Sequence, residues 1–281
     1  MLNNEMGISE CGIQNKKSGI RKLADAALVI SASRRTDLVG CYPEAMLERL
    51  REFPPESVHS LVVWTKNPKN MIVAGPLKNT LKNYRQVYVH LTITGMGSGE
   101  FEPMIPPWKE AVEMIGPLID MVGDPRRISW RFDPILETER GGHTYSNFDL
   151  FPRLSGAIAP LGIRSCRVSW VSPYKKVLRR LERKGWGLVT RTVEGRALQA
   201  NTLIRVAREH GMSLSFCCME GLPISQCIDG DLLSELHPDG QRCSTKKARG
   251  QRPLCGCTES LDIGWYSLRC RHGCLYCYAV P

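Results

Sequence analysis

The sequence predicts an α/β fold, a partial (β/α)6 barrel of mainly parallel strands followed by a cysteine-rich C-terminal tail. Three observations carry this expectation. Six short apolar runs recur through residues 26–222, each separated from the next by a helical pattern, which favours parallel pairing through crossovers. No Gly-x-Gly-x-x-Gly follows the first run, so a dinucleotide-binding sheet has little support. From Cys227 onward the pattern gives way to loop composition with one short helix at most, and a tail of that length needs something to fold around. Residues 1–25 read as an N-terminal extension, 26–222 as the barrel and 223–281 as the tail.

The elements follow in order. "ALVISAS" is a buried strand, "RRTD" a polar turn, and "YPEAMLERLREF" an amphipathic helix. "VHSLVVWTKNP" is the second strand with its exit loop, and a helix beginning near Lys78 leads to "VYVHLTITG". After the Pro-rich insert "EFEPMIPPW", a helix runs through "KEAVEMIGPLIDMVG" and stops at Gly123. "RISWRFDPIL" is the fourth strand. A Gly-rich loop, a helix over residues 150–161 and the strand "RSCRVSWVSPY" come next. The basic helix "KKVLRRLERKG" and the helix "EGRALQANTLIRVAREHG" precede the sixth strand, "MSLSFCCME".

Length and composition suit a globular chain: 281 residues, 42% apolar and 23% charged. No apolar run approaches the roughly 20 residues that span a bilayer. The N-terminus lacks the apolar stretch of a secretory signal, so a cytoplasmic location with no membrane contact is expected. A formal charge of +10 suits either a polyanion partner or a basic active-site cleft that takes an anionic small molecule.

Polar residues cluster past the strand ends, in "SRRTD", "WTKNP", "LTITG", "RFDP", "SWVSPY" and "CCMEG". In parallel barrels those loops build the active site, so Arg34, Arg35, Lys66, Asn67, Arg131 and Asp133 are expected to converge. Any one of them alone reads as an ordinary loop residue. Recurrence after every strand makes the set informative.

Of the 12 cysteines, Cys11, Cys41 and Cys166 are scattered singly and read as small buried hydrophobes. The other nine lie between Cys217 and Cys277, a density that asks for a metal or a cluster rather than cytosolic disulfides. Cys270-x3-Cys274-x2-Cys277 offers three thiolates, one short of closing a tetrahedral site. Held this way, a cubane iron–sulfur cluster has one iron without a protein ligand. Zinc is the alternative, with His272 or a distant cysteine as fourth ligand, although the x3 spacing and the aromatic Tyr276 are unusual for it. Cys218 (or its neighbour Cys217), Cys227, Cys255 and Cys257 form a second set of four, suited to an auxiliary cluster or to zinc. Cys243 has no clear partner.

The motif "CRHGCLYC" resembles the Cys-x3-Cys-x-aromatic-Cys signature of the radical S-adenosylmethionine (radical SAM) superfamily, in the form found around spore photoproduct lyase. Together with "SASRRTD", "WTKNP", "WRFDPI" and "CGCTESLDIG" it resembles a bacterial family of unknown function along nearly the whole chain. The chain departs from the superfamily in one respect. There the motif follows the first strand, whereas here that position holds the cysteine-free "SRRTD". The resemblance therefore implies a tail folded back over the barrel mouth, delivering a [4Fe-4S] cluster that S-adenosylmethionine chelates. It further implies an external electron donor such as flavodoxin or ferredoxin, and a carbon radical, 5′-deoxyadenosyl or 3-amino-3-carboxypropyl, acting on an unidentified substrate. In that setting Arg34, Arg35, Lys66 and Arg131 would bind the carboxylate of S-adenosylmethionine or an anionic substrate. Asp133 would accept from ribose hydroxyls, Thr65, Asn67 and Ser169 would complete the shell, and Tyr276 would lie against adenine. The competing expectation is a basic zinc protein that binds nucleic acid without catalysis, although the tail lacks a recognisable groove helix.

Overall fold

The computed structural model describes residues 28–265 and 267–279. The expected extension at 1–25 and Cys11 lie outside the described residues.

The chain alternates strands and helices. Strand β1 (Leu28–Ala32) leads through a polar turn to α1 (Leu38–Cys41) and α2 (Pro43–Leu50). Strand β2 (Val58–Thr65) is followed by α3 (Lys69–Ile72) and α4 (Pro76–Leu81), and β3 (Val87–Thr92) by α5 (Trp108–Glu113) and α6 (Ile115–Val122). Next come β4 (Ile128–Ile135), β5 (Glu137–Arg140), β6 (His143–Ser146) and α7 (Phe151–Ile158). Strand β7 (Ser165–Trp170) and α8 (Lys175–Glu182) precede the short β8 (Gly187–Leu188), α9 (Val193–Glu209) and β9 (Ser213–Phe216). The tail contributes α10 (Gly230–Glu235) and β10 (Leu261–Asp262).

Seven strands form one parallel sheet in the order β10-β1-β2-β3-β4-β7-β9. Every residue of β2 and β3 is buried, as expected for interior parallel strands covered on both faces. The sheet is open among the described residues, with β10 and β9 at its edges. The six strands expected from sequence are all present, and the seventh comes from the tail. There Leu261 pairs with Ile30 and Asp262 with Ser31.

Beneath the sheet, Trp130 stacks on Phe151 at 5.1 Å and Phe132 meets the same ring edge-on. Ile30, Leu61, Val63, Val89 and Leu91 continue that core. The helices begin and stop where their residues dictate. Pro43 opens α2, the Asp37 side chain accepts from Gly40 N at the start of α1, and α6 ends at Gly123 in the left-handed conformation.

One expectation needs correction. The Gly-rich segment after β4 is a β-hairpin rather than a loop. Strands β5 and β6 pair antiparallel across Gly141 and Gly142, both at positive φ, and β8 extends them into a small second sheet. Two glycines at the turn satisfy the left-handed requirement of a tight hairpin. No helix among the described residues is long and apolar enough to cross a membrane.

Candidate metal centre at the strand ends

Because the sheet is parallel, the loops after its strands share the C-terminal end of the sheet, and the tail docks there. Asp37, in the turn after β1, is the hub. Its carboxylate accepts from Gly40 N at 2.7 Å, Thr65 Oγ1 at 2.9 Å, Lys66 N at 2.8 Å and His272 Nε2 at 2.8 Å. Two of these donors sit at the end of β2 and one lies in the cysteine motif, so one carboxylate ties three segments together. Gly40 makes this approach possible, because a Cβ there would sit 3.1 Å from the His272 ring.

A second hub follows β3. Buried Glu102 accepts from Lys66 Nζ at 2.7 Å and from the Tyr276 hydroxyl, while Lys66 Nζ also lies over the Tyr276 ring. Leu275 N donates to Phe101 O at 3.1 Å, and Arg180 of α8 donates to the carbonyls of Leu275 and Cys277. Upstream in the tail, Ser31 Oγ donates to Asp262 at 2.8 Å and Thr36 Oγ1 to Leu268 O at 2.8 Å. Gly264 packs against Ser33 with no room for a Cβ.

Cys274 is buried and Cys270 and Cys277 are half-buried; each of the three lies within electrostatic reach of the other two. Burial pushes the Cys274 thiol up to about 12, with nearby Lys66 opposing. Burial likewise raises the Cys277 thiol, and Arg180 works against it. A hydrogen bond from Cys41 holds the Cys270 thiol down, to about 6, against the effect of burial. A cleft of about 440 Å³ is lined by Cys270, Cys274, Gly273, Tyr42, Arg180, Arg269 and Arg271.

The second cysteine set gathers beyond β9. Cys227 shares thiol hydrogen bonds with Cys217 and Cys257, and these bonds hold its own thiol well below the usual range. Arg131 Nη1 donates to Cys227 Sγ at 3.1 Å and Arg252 Nη2 to Cys217 Sγ at 3.1 Å. Cys218, at positive φ, neighbours Cys217 and lies within electrostatic reach of the buried Cys255. Tyr278 is within electrostatic reach of both Cys277 and Cys217, so the two sets border a common region.

The other expected residues divide. Arg131, Asp133 and Ser169 meet on adjacent strands, where the Asp133 carboxylate accepts from both partners. Thr65 and Lys66 are engaged with Asp37 and Glu102, and Asn67 N donates to Thr65 Oγ1 at 3.0 Å. Arg34 turns toward Gln251 and lies over Trp64, and Arg35 N donates to Ser33 Oγ. Three participants are not evident from sequence: Asp37, Glu102 and Cys41. The first lies within "SRRTD" and the second within the insert "EFEPM", and each is an acidic loop residue with no further signal of its own.

Two buried histidines, His59 at the start of β2 and His90 within β3, give the fold a pH dependence. Burial lowers the pKa of His59, which bonds Gln241 O, and of His90, which bonds Cys227 O and also feels Arg167. The unfolded chain takes up protons near pH 6.5 and the folded chain does not, so this stability is present above that pH and lost below it. The unfolding free energy of the metal-free protein, read from urea titrations, is expected to fall as pH drops from 7 to 5, by up to about 1.4 kcal/mol per pH unit for each histidine. His59→Gln should flatten the slope.

The model of a family described as a domain of unknown function (DUF1848) matches residues 29–279, the parallel sheet and the cysteine-rich segment together. The chain belongs to the DUF1848 family. In this DUF1848 protein both cysteine sets and both carboxylate hubs fall inside the matched span. No curated protein matches it. Among solved structures it is similar to the carboxyl transferase domain of Rhizobium etli pyruvate carboxylase with pyruvate, at 12% identity and TM-score 0.26, over 76% of this chain and 43% of that one. The same domain with 3-bromopyruvate gives 14% identity and TM-score 0.25, over 76% and 44%. The DUF1848 chain thus spans less than half the length of these neighbours, and the likeness is too slight to carry a conclusion.

Proposed function

We propose that this protein is a radical SAM enzyme, in which the tail of a partial barrel folds back over the barrel mouth and holds a [4Fe-4S] cluster through Cys270, Cys274 and Cys277. The observation that carries this reading is the docking of the motif on the strand-end loops, through His272 on Asp37 and Tyr276 on Glu102. The residues fit the group. Three thiols within electrostatic reach of one another beside a cleft would leave one iron without a protein ligand, and soft thiolates are the ligands such a cluster takes. When bound, the cluster supplies the electron that breaks a carbon–sulfur bond of S-adenosylmethionine.

The chain's own residues bind and orient. Lys66, already paired with Glu102, presents its charge beside Cys274 and is suited to a carboxylate ligand. Arg131 and Ser169 hold the Asp133 carboxylate in place as an acceptor for ribose hydroxyls. Thr65 and Asn67 order the exit of β2. Arg34 and Arg35 remain candidates for an anionic substrate. Tyr276, buried against Lys66 and Glu102, shields the motif from water and offers a ring face toward adenine. The exposed Arg269 and Arg271 at the cleft rim suit an acidic electron donor such as flavodoxin or ferredoxin. Cys217 or Cys218, with Cys227, Cys255 and Cys257, would hold an auxiliary cluster, and the guanidinium bonds from Arg131 and Arg252 would stabilise its anionic sulfurs.

Anaerobic reconstitution with iron and sulfide, followed by dithionite and S-adenosylmethionine, tests this. Release of 5′-deoxyadenosine is the expected result, and methylthioadenosine would assign cleavage to the other bond. Stoichiometric zinc, salt-dependent nucleic-acid binding and no nucleoside would overturn the proposal in favour of a basic zinc protein.

A further inference from the structure

Cys41 closes α1 and belongs to neither cysteine set, yet its Sγ lies 3.9 Å from Cys270 Sγ. A ring nitrogen of His272 joins them, all three donor atoms lying within 4.8 Å of one another. Cys41 and His272 are buried and Cys270 is half-buried. We propose that Cys41, Cys270 and His272 form a mononuclear site for a thiophilic divalent cation of the zinc type, distinct from the three-cysteine motif with which it shares Cys270.

The spacing selects a single ion. A tetrahedral centre with metal–sulfur bonds of about 2.3 Å separates two of its thiolates by ~3.8 Å. Thiolates capping different corners of a cubane stand further apart, so the Cys41–Cys270 pair suits one ion rather than one cluster. The histidine is prepared for ligation too. Its Nε2 is engaged by Asp37 Oδ2 at 2.8 Å, so Nδ1 would be the nitrogen that ligates a metal. A carboxylate on the far nitrogen of a ligating histidine fixes ring and tautomer and strengthens the donor. Asp37 is itself held by Gly40, Thr65 and Lys66, so the ring is not free to swing away. Three protein ligands leave a fourth position, which the cleft lined by Cys270 can supply with water or a small ligand. Cys270 cannot serve this ion and the cluster together, so the two occupants exclude one another. That exclusion rests on the cluster reading, but the ion site does not.

Cobalt(II) is a spectroscopic probe of such a site. It is titrated anaerobically into the metal-free, fully reduced chain, and the thiolate-to-cobalt absorption counts the equivalents bound. Cys41→Ala and His272→Ala are each expected to lose one equivalent or to weaken it at least tenfold, with the far-ultraviolet spectrum unchanged. Cys277→Ala and Cys257→Ala are expected to retain it. Cys41→Ser and His272→Gln repeat the test should either alanine variant misfold. The site is refuted if the Cys41 variants bind cobalt like the wild type. It is also refuted if Cys277→Ala loses as much as Cys41→Ala, because the ion would then belong to the three-cysteine motif. No iron, sulfide or S-adenosylmethionine enters the titration, so its failure is separable from failure of the proposed enzyme activity.

Discussion

Cys274→Ser should reduce release of nucleoside from S-adenosylmethionine to background and remove the iron held by the C-terminal motif. Cys274 is the most buried of the three thiols, set between Lys66 and the Tyr276–Glu102 pair. Serine has nearly the same shape but is a poor ligand for iron, so folding should persist while the cluster is lost. Two controls bracket the result. Cys166→Ser alters a cysteine buried in the core of β7 and should leave the iron content unchanged. Cys227→Ser removes the centre of the second set and should lower the iron count while some of the nucleoside-forming activity survives. Iron and sulfide analysis with chromatography of the reaction products reads all three. Full activity in Cys274→Ser would sink the enzyme proposal.

Asp37→Ala should cost about 3–5 kcal/mol of unfolding free energy, because four donors lose one buried acceptor. Each orphaned donor carries a desolvation penalty, and the cap of α1 disappears with them. For a chain of this length the melting temperature should fall by roughly 10 °C. The damage should be uneven. With His272 released, trypsin should cut the tail at Arg269 and Arg271 well before the sheet opens. Asp37→Asn keeps one acceptor oxygen and should lose about half as much. A loss below about 1 kcal/mol in urea titrations would mean that the carboxylate is not the hub described above.

The strands were legible because interior parallel strands are continuous apolar runs, and "VHSLVVWT" and "VYVHLT" are buried along their whole length. The hairpin around Gly141 and Gly142 is hard to see in sequence because its strands are short and half-exposed, although the glycine pair itself is a turn signal. Strand β10 has two residues, and its existence depends on β1 rather than on local sequence. The same contrast governs the cysteines. Cys41 and Cys166 look alike as isolated thiols in apolar surroundings. Only the tertiary fold buries one in the core and sets the other against Cys270. The strand-end cations were visible, but their partners were not, because Glu102 and Asp37 sit far along the chain from the Tyr276 and His272 they bind.

The pairing of β10 with β1 also bears on the order of assembly. The Ser31–Asp262 hydrogen bond closes a loop of 231 residues, whereas the neighbouring strands β1 and β2 meet across fewer than 40. Contacts of such long range form slowly and gain their free energy only after the intervening chain is ordered. The sheet should therefore consolidate first, with β1 as a bare edge, and the segment that brings Cys270, Cys274 and Cys277 should settle last. Hydrogen exchange would show this as low protection in residues 261–279 beside high protection in β2 and β3. A metal bound at the motif would then act as a late clasp, stabilising the last segment to settle in a structure already formed.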